Sequence, residues 1–306
     1  MKRKLMLMLL TPLILSSCGG DPAPAEDLGP VDVILISGQS NAVGCTFSSY
    51  IQSSMGEDKY IEFYQGYKDI KMSYDNWTKD DFDKPVQTYY PQNWSDGFVP
   101  VKLGQGNGTA TFGPEIGIAE ALHEKYANKL FIIKFACGGS CLKDDWTERN
   151  SPMYPKFIAY VRQEMNRLSL MGYRPTIKAF CWMQGEGDTY SSGYYGTYQD
   201  NLRTFVTNVR NDLRNLSGER EIPFIDAKIS GDGAWTFWAE VNIAKRKFSE
   251  ESDNNFLVDT IGAGMHTNTE PYGNIDLCHY DSASEVKLGH LFAEVFEQFL
   301  MPIEDK

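Results

Sequence analysis

Residues 31–37 read VDVILIS and are followed at once by residues 38–41, GQSN. The first stretch is short, apolar and rich in β-branched residues, which indicates a strand buried on both faces, as in a parallel sheet. The second stretch is a tight polar turn that places Ser40 directly after that strand. A hydroxyl at the end of a buried strand is a candidate functional group, because ligands of such sheets bind beyond the carboxyl ends of the strands.

Further apolar stretches predict four more strands, with helices between them. We expect strands at residues 130–136, 177–183, 223–229 and 256–259, and helices at residues 114–126, 155–170, 195–216, 237–251 and 283–300. Strands that alternate with helices form βαβ units, so the sequence predicts an α/β fold with a doubly wound parallel sheet.

Three of the predicted strands end in loops that combine glycine with polar residues. These loops are residues 38–41 (GQSN), 137–140 (CGGS) and 184–186 (QGE). Since parallel strands end at the same edge of a sheet, we expect the three loops to converge there.

Ser40 is the candidate nucleophile, and a hydroxyl needs a base to take its proton. The candidate base is His279, because Asp276 lies three positions earlier and can accept a hydrogen bond from one ring nitrogen. Backbone N–H groups of Ser40 and of the glycines at 138–139, with the Gln184 amide, are candidate donors to an oxyanion.

Each of these residues also has a structural explanation. Ser40 alone is typical of a turn or helix cap, and His279 alone of a structural histidine. Glu186 and Asp188 resemble the carboxylate pair of a glycoside hydrolase, but two positions apart on one loop they are expected to anchor that loop. An α/β-hydrolase is disfavoured, because its Gly-x-Ser-x-Gly turn needs glycine where this chain has Ala42.

Five blocks together resemble the sialate O-acetylesterase, or carbohydrate esterase family 6, branch of the SGNH hydrolases. The resemblance extends over about residues 31–300. The blocks are residues 38–41 (GQSN), 113–115 (GPE), 138–140 (GGS), 182–188 (WMQGEGD) and 276–279 (DLCH).

The resemblance implies a flavodoxin-like three-layer α/β/α fold and hydrolysis of acetyl esters on sugars such as sialic acid or xylan, through an acyl-enzyme intermediate. It implies no metal and no organic cofactor. The site residues that we assign are the catalytic residues Ser40, His279 and Asp276, the oxyanion donors Ser40, Gly139 and Gln184, and the substrate-binding residues Gln39 and Glu186. The alternative is a catalytically silent, surface glycan-binding lipoprotein on the same fold.

Two features depart from the family pattern. Gly187 stands where relatives often carry Ser or Ala, which we expect to loosen its loop. Residues 45–110 are long, polar and rich in aromatic residues, and we expect an insertion with little regular structure there.

Composition narrows the classes of partner. The chain has 306 residues, 42% of them hydrophobic, which suffices for a large core, and its net charge is −12. An acidic chain of this kind is a poor partner for nucleic acid, and the sequence does not indicate an oligomeric state. The cysteine spacings match no zinc pattern, while Cys137 and Cys141 either form a disulfide or remain free thiols.

The N-terminus has the pattern of a processed segment. Residues 2–4 (KRK) are basic, residues 5–15 are largely apolar, and residues 15–18 (LSSC) resemble a bacterial lipobox. We therefore expect a signal peptide at 1–17, a lipid-modified Cys18, a tether at 18–30 and an esterase domain at 31–306, in the cell envelope outside the cytoplasm. The alternative is a plain secretory signal in which Cys18 has no role.

Replacement of Cys18 tests the lipid anchor. We expect Cys18→Ala to move the protein from the membrane fraction to the soluble fraction of its cells, because no acyl chain is then attached. Fractionation followed by immunoblotting measures this. Unchanged membrane association of the variant would contradict lipidation at Cys18.

Overall fold

The computed structural model describes residues 26–80, 87–268, 270 and 275–298. The predicted signal peptide, Cys18 and most of the tether lie outside these residues. The strands are β1 (Gly29–Gly38), β2 (Thr46–Phe47), β3 (Tyr67–Lys79), β4 (Tyr89–Trp94), β5 (Val99–Val101), β6 (Thr111–Phe112), β7 (Leu130–Gly138), β8 (Tyr173–Met183), β9 (Phe224–Ala227), β10 (Asn255–Val258), β11 (Thr267–Asn268) and β12 (Asp276–Tyr280).

Helices connect most of these strands. The α-helices are α1 (Ser40–Val43), α2 (Ile51–Ser54), α3 (Glu57–Gln65), α4 (Glu115–Tyr126), α5 (Tyr154–Leu170), α6 (Ser192–Tyr195), α7 (Tyr198–Asp212), α8 (Trp238–Ser249) and α9 (Ser282–Phe296). Short 3-10 or π turns occur at Ser48–Tyr50, Leu142–Trp146, Glu186–Asp188 and Arg214–Leu216.

The central sheet has the strand order β10-β9-β8-β1-β7-β3-β4, and β5 also pairs with β3. All pairs from β10 to β3 are parallel, whereas β4 and β5 run antiparallel to β3. Strand β1 lies in the middle, and the side chains from Val33 to Ile36 are fully buried. Each such aliphatic side chain contributes about 1.5–3 kcal/mol by leaving water. The α/β class and the central, mostly parallel sheet predicted from the sequence are confirmed.

The two faces of the sheet carry different helix layers. On one face an aromatic cluster joins the strands to α5 and α7, with ring centroids 4.7 Å apart for Trp182 and Phe205 and 6.1 Å apart for Phe135 and Phe157. Successive strand residues point to opposite faces, so Lys134 points away from this cluster. Its Nζ donates to Glu115 Oε2 of α4 at 2.7 Å, which places α4 on the other face.

The expectation that residues 45–110 carry little regular structure is wrong. Strand β3 lies within them and pairs in parallel with β7 from Lys71 to Thr78. Its sequence mixes buried apolar residues with partly buried charged and polar ones, and its outer edge meets only short antiparallel strands. It therefore lacks the continuous apolar run of a strand that is buried on both faces.

The five cysteines of the described residues are free thiols, so Cys137 and Cys141 do not form a disulfide. None of the helices within the described ranges has the length and apolar character needed to cross a bilayer.

Candidate active site

Ser40 lies at the carboxyl end of β1 and is the first residue of α1. A first helical residue has no intrahelical acceptor for its N–H, so this donor is available to a ligand. Ser40 lines a cavity of about 300 Å³ together with Gly139 and His279. The structure thus brings a hydroxyl from the beginning of the domain and an imidazole from its end to one cavity. Across the described residues, no hydrogen bond joins Ser40 Oγ to His279.

His279 is held by Asp276 on the same strand, β12. The two atoms His279 Nδ1 and Asp276 Oδ2 lie 2.7 Å apart. The other carboxylate oxygen of Asp276 accepts the N–H groups of Cys278 at 2.8 Å and of His279 at 3.2 Å. This arrangement fixes the carboxylate and engages Nδ1 of the imidazole, and Cys45 is a further side chain in hydrogen-bond contact with His279.

The surroundings of His279 shift its proton affinity. Burial favours the neutral imidazole, but Cys45 and the Asp276 carboxylate favour the charged form more strongly and raise the pKa of His279 above its ordinary value. For Asp276, burial is outweighed by the hydrogen bond and the charge of His279, so its pKa is lowered. Sequence reasoning gave no role to Cys45, which lines the same cavity.

Gln39 joins two of the three loops. Its Oε1 accepts hydrogen bonds from Gln184 Nε2 at 3.2 Å, Gly185 N at 3.3 Å and Gly187 N at 3.0 Å. Gln39 lines the cavity, but its side-chain oxygen is committed to the loop that follows β8. Gln39 therefore positions the loop after β8, whereas the sequence predicted that it contacts the substrate.

The predicted oxyanion role of Gln184 does not agree with the structure. The side chain is fully buried, and its Nε2 donates to Asp188 Oδ2 at 2.7 Å as well as to Gln39. Its Oε1 accepts from Tyr198 OH at 3.0 Å. Both ends of the amide are therefore used inside the protein, and Gln184 positions its loop instead of facing the cavity.

Glu186 is likewise fully buried, so the prediction that it binds substrate is wrong. Its Oε1 accepts from Asn41 Nδ2 at 2.8 Å, and burial raises its pKa. Asp188 accepts the backbone N–H groups of Leu142 at 2.6 Å and Lys143 at 3.2 Å. The expectation that this pair anchors its loop is confirmed, and the glycoside hydrolase reading is excluded by the burial of both carboxylates.

Asn41 has a positioning role that sequence reasoning missed. Besides donating to Glu186, its Oδ1 accepts the N–H of Tyr280 at 3.2 Å, and Thr46 Oγ1 donates to Tyr280 O at 2.7 Å. Asn41 follows Ser40 directly, and Tyr280 follows His279 directly. The bond between them therefore sets the distance of the imidazole from the serine.

The expectation that Gly187 loosens its loop is also wrong. The N–H of Gly187 donates to Gln39 Oε1 at 3.0 Å. A Cβ at this position would lie 2.4 Å from the Ser140 carbonyl oxygen. Glycine is needed here because the loops after β7 and β8 are in close contact.

Two more groups of the cavity can donate hydrogen bonds. Gly139 has a positive φ of 73°, and within the described part of the chain its N–H meets no backbone acceptor. Asn107 lines the cavity, and its backbone is held by a 2.8 Å bond from its N–H to Gly44 O. In the described ranges its side-chain amide has no partner. In the sequence, Asn107 follows Gly-Gln-Gly at residues 104–106. This pattern predicts a turn but does not indicate where the Asn107 amide points.

The arrangement combines a hydroxyl, an imidazole oriented by a carboxylate, and N–H donors around one cavity. These are the groups that serine acyl transfer requires. Among the described residues, no group of three His, Cys, Asp or Glu side chains is placed to hold a metal ion.

Comparison with known proteins identifies the family. The family described as carbohydrate esterase, sialic acid-specific acetylesterase, matches residues 30–298. The chain belongs to this family, which confirms the resemblance found in its sequence blocks, and it is a carboxylic ester hydrolase of the carbohydrate acetylesterase type. A probable carbohydrate esterase of Arabidopsis thaliana is 23% identical over 293 residues, covering 91% of this chain and 97% of the plant protein.

Two solved structures share the fold. The structure of the Arabidopsis thaliana protein has a TM-score of 0.59 at 18% identity and covers 89% of this chain and all of that one. The structure of NanS has a TM-score of 0.58 at 15% identity and covers 90% of this chain and 98% of that one.

Proposed function

We propose that this esterase removes O-acetyl groups from carbohydrates through an acyl-enzyme intermediate on Ser40. The observation that carries the proposal is the shared cavity of Ser40, Gly139 and His279, with His279 Nδ1 held 2.7 Å from Asp276 Oδ2. A catalytically silent glycan-binding protein is not favoured, because no substitution has removed any member of this set.

In the first step, Ser40 Oγ attacks the acetyl carbonyl carbon while His279 Nε2 takes the hydroxyl proton. Asp276 keeps the imidazole in the tautomer that accepts at Nε2 and stabilises the imidazolium that forms. The tetrahedral intermediate then expels the sugar oxygen, which receives the proton from His279. Ser40 is left as its acetyl ester.

In the second step, His279 takes a proton from water, and the resulting oxygen nucleophile attacks the acetyl-serine carbonyl. Collapse of the second tetrahedral intermediate breaks the bond to Ser40 Oγ and returns the proton to that oxygen. Acetate leaves, and the enzyme is restored with no change in oxidation state.

The oxyanion of both intermediates needs donors that are preorganised in the cavity. We assign this role to the N–H of Ser40, the N–H of Gly139 and the side-chain amide of Asn107, which takes the place first given to Gln184. All three residues line the cavity, whereas Gln184 does not.

We also propose that the domain is held at the cell envelope by a lipid on Cys18. The support is the order of a basic stretch, an apolar stretch and the LSSC sequence at residues 15–18.

Removal of the Ser40 hydroxyl tests the nucleophile. We expect Ser40→Ala to lower kcat for acetate release by about 10⁴-fold or more, since no acyl-enzyme can form. Ser53→Ala, at an exposed serine of α2, is the matched control and should retain full activity. Circular dichroism should show both variants folded. Turnover by Ser40→Ala at even a tenth of the original rate would rule out Ser40 as nucleophile.

The roles proposed for Asn107 and Gln184 predict different effects when each residue is replaced by alanine. Asn107→Ala should lower kcat by about 10²–10³-fold with little change in melting temperature, because its amide has no structural partner in the described residues. Gln184→Ala should lower the melting temperature, because it removes three buried hydrogen bonds, to Gln39, Asp188 and Tyr198. Steady-state kinetics and thermal melts measure both. Full activity of Asn107→Ala would remove it from the oxyanion hole.

The pH profile tests His279 as the base. The imidazole works only when neutral, so kcat/KM should fall as pH drops through the His279 pKa. Because that pKa is raised, the midpoint of the fall should lie above the ordinary histidine value of about 6.5. Cys45→Ala removes a group that favours the charged imidazole and should move the midpoint to lower pH.

Ser53→Ala serves as the control for the pH experiment, since this exposed serine of α2 is not part of the cavity lining and should leave the midpoint in place. A flat profile between pH 5 and 8 would argue against His279 as the base. A midpoint that Cys45→Ala does not move would argue against the influence of Cys45.

A further inference from the structure

A second cavity adjoins the catalytic one. It measures about 410 Å³ and shares Gly187 and Tyr190 with the catalytic cavity of about 300 Å³. Both volumes fall within the range of about 300–1,000 Å³ that is usual for small-molecule sites. We call this second cavity the tyrosine groove, because its wall contains Tyr89, Tyr190 and Tyr194.

Two of the three tyrosine rings of the groove, those of Tyr89 and Tyr194, are anchored by their hydroxyl groups. Tyr194 OH donates to Asp144 Oδ2 at 2.9 Å, and Tyr89 OH donates to the buried carboxylate of Asp145. Tyr190 lies between the two cavities and is 54% exposed. Anchored rings lose little conformational entropy when a ligand stacks on them.

Aromatic faces of this kind suit the C–H faces of sugar rings, because the ring combines a large apolar area with a negative π face. Since the groove shares Gly187 and Tyr190 with the catalytic cavity, one glycan chain can place its acetylated sugar in the catalytic cavity and its next sugar in the groove. The groove therefore fits the next unit of a glycan chain.

The charges around the groove favour a neutral sugar. The cation of Lys79 is 6% exposed and donates to both oxygens of Asp145, at 2.9 and 3.2 Å. Asp144 adds a further carboxylate to the wall. Lys143 Nζ is directed to Gly193 O at 2.7 Å and lies 5.0 Å from the centroid of the Tyr194 ring, outside the lining of the groove. An anionic sugar would face Asp144 without a free cation among the described lining residues.

We propose that the tyrosine groove binds a second, uncharged sugar unit, so that the preferred substrate is an acetylated neutral oligosaccharide or polysaccharide. This inference rests on the proposed esterase function and adds the class of glycan. It assigns Tyr194 and Asp144 to substrate selection.

Chain length is tested with three esters: 4-nitrophenyl acetate, xylose monoacetate and partially acetylated xylotetraose. The wild-type enzyme should show a kcat/KM for xylotetraose at least about ten-fold above that for xylose monoacetate. Tyr194→Ala should reduce this ratio about five-fold, whereas Tyr194→Phe, which keeps the ring, should preserve most of it. Tyr64→Ala, at an exposed tyrosine away from both cavities, should change none of the three values.

Charge is tested in the groove with partially acetylated xylotetraose against a partially acetylated xylo-oligosaccharide of the same length that carries a glucuronic acid unit. The wild-type enzyme should favour the neutral ester, and Asp144→Asn should raise the relative kcat/KM for the anionic ester several-fold. A wild-type preference for the anionic ester that Asp144→Asn leaves unchanged would overturn the assignment of a neutral sugar.

A binding measurement with an unacetylated glycan tests the groove independently of the proposed esterase activity. Calorimetric titration of the wild-type protein with unacetylated xylotetraose should show binding that Tyr194→Ala weakens about five-fold. Acetate release with no such binding and no effect of chain length would overturn the groove alone. Binding without release of acetate from any ester would overturn the proposed function and leave the groove in place.

Discussion

The two carboxamides that flank Ser40 hold the candidate active site together. Gln39 Oε1 accepts hydrogen bonds from three N–H groups of the loop after β8. Asn41 donates to Glu186 in the same loop and accepts the N–H of Tyr280 in β12. Because these side chains are neighbours of Ser40 in the chain, the turn that presents the hydroxyl also orients the remaining groups around it. Without them, no side-chain bonds would tie the end of β1 both to the loop after β8 and to the hairpin of β11 and β12.

Carboxamides suit this task because they donate and accept at once and carry no charge. The Gln39 oxygen and both ends of the Asn41 amide are paired inside the protein. A buried polar network of this kind stabilises one arrangement of the loops, since any other arrangement leaves groups without partners. The nearby carboxylates of Glu186 and Asp188 take part as acceptors of such bonds and not as reacting groups.

The sequence predicted the strands that are buried on both faces, the helices between them, and the convergence of three glycine-containing loops. It also paired Asp276 with His279, because three residues of spacing is a local constraint. It missed β3, since a strand near the sheet edge has no continuous apolar run. It misplaced Gln184, because the direction of a side-chain amide depends on hydrogen bonds, here with Asp188 and Tyr198, that form only when the loop packs against α7.

The errors at Glu186 and Gly187 have the same origin. A polar residue in a loop at a sheet edge is compatible with either a ligand contact or a loop contact, and only packing decides between them. The fit of Gly187 against Ser140 and the burial of Glu186 are properties of two loops in contact, which a single stretch of sequence does not encode.

The serine and the histidine of this site are supported by unequal parts of the fold. Ser40 follows a strand at the centre of an eight-stranded sheet, whereas His279 lies on β12, whose only strand partner within the described residues is the two-residue β11. The histidine is thus positioned by a short hairpin outside the central sheet, which reaches the hydrophobic core through Tyr280. Local opening of that hairpin would remove the base while the central sheet stayed folded, so the working lifetime of the catalyst depends on this short hairpin as well as on global stability.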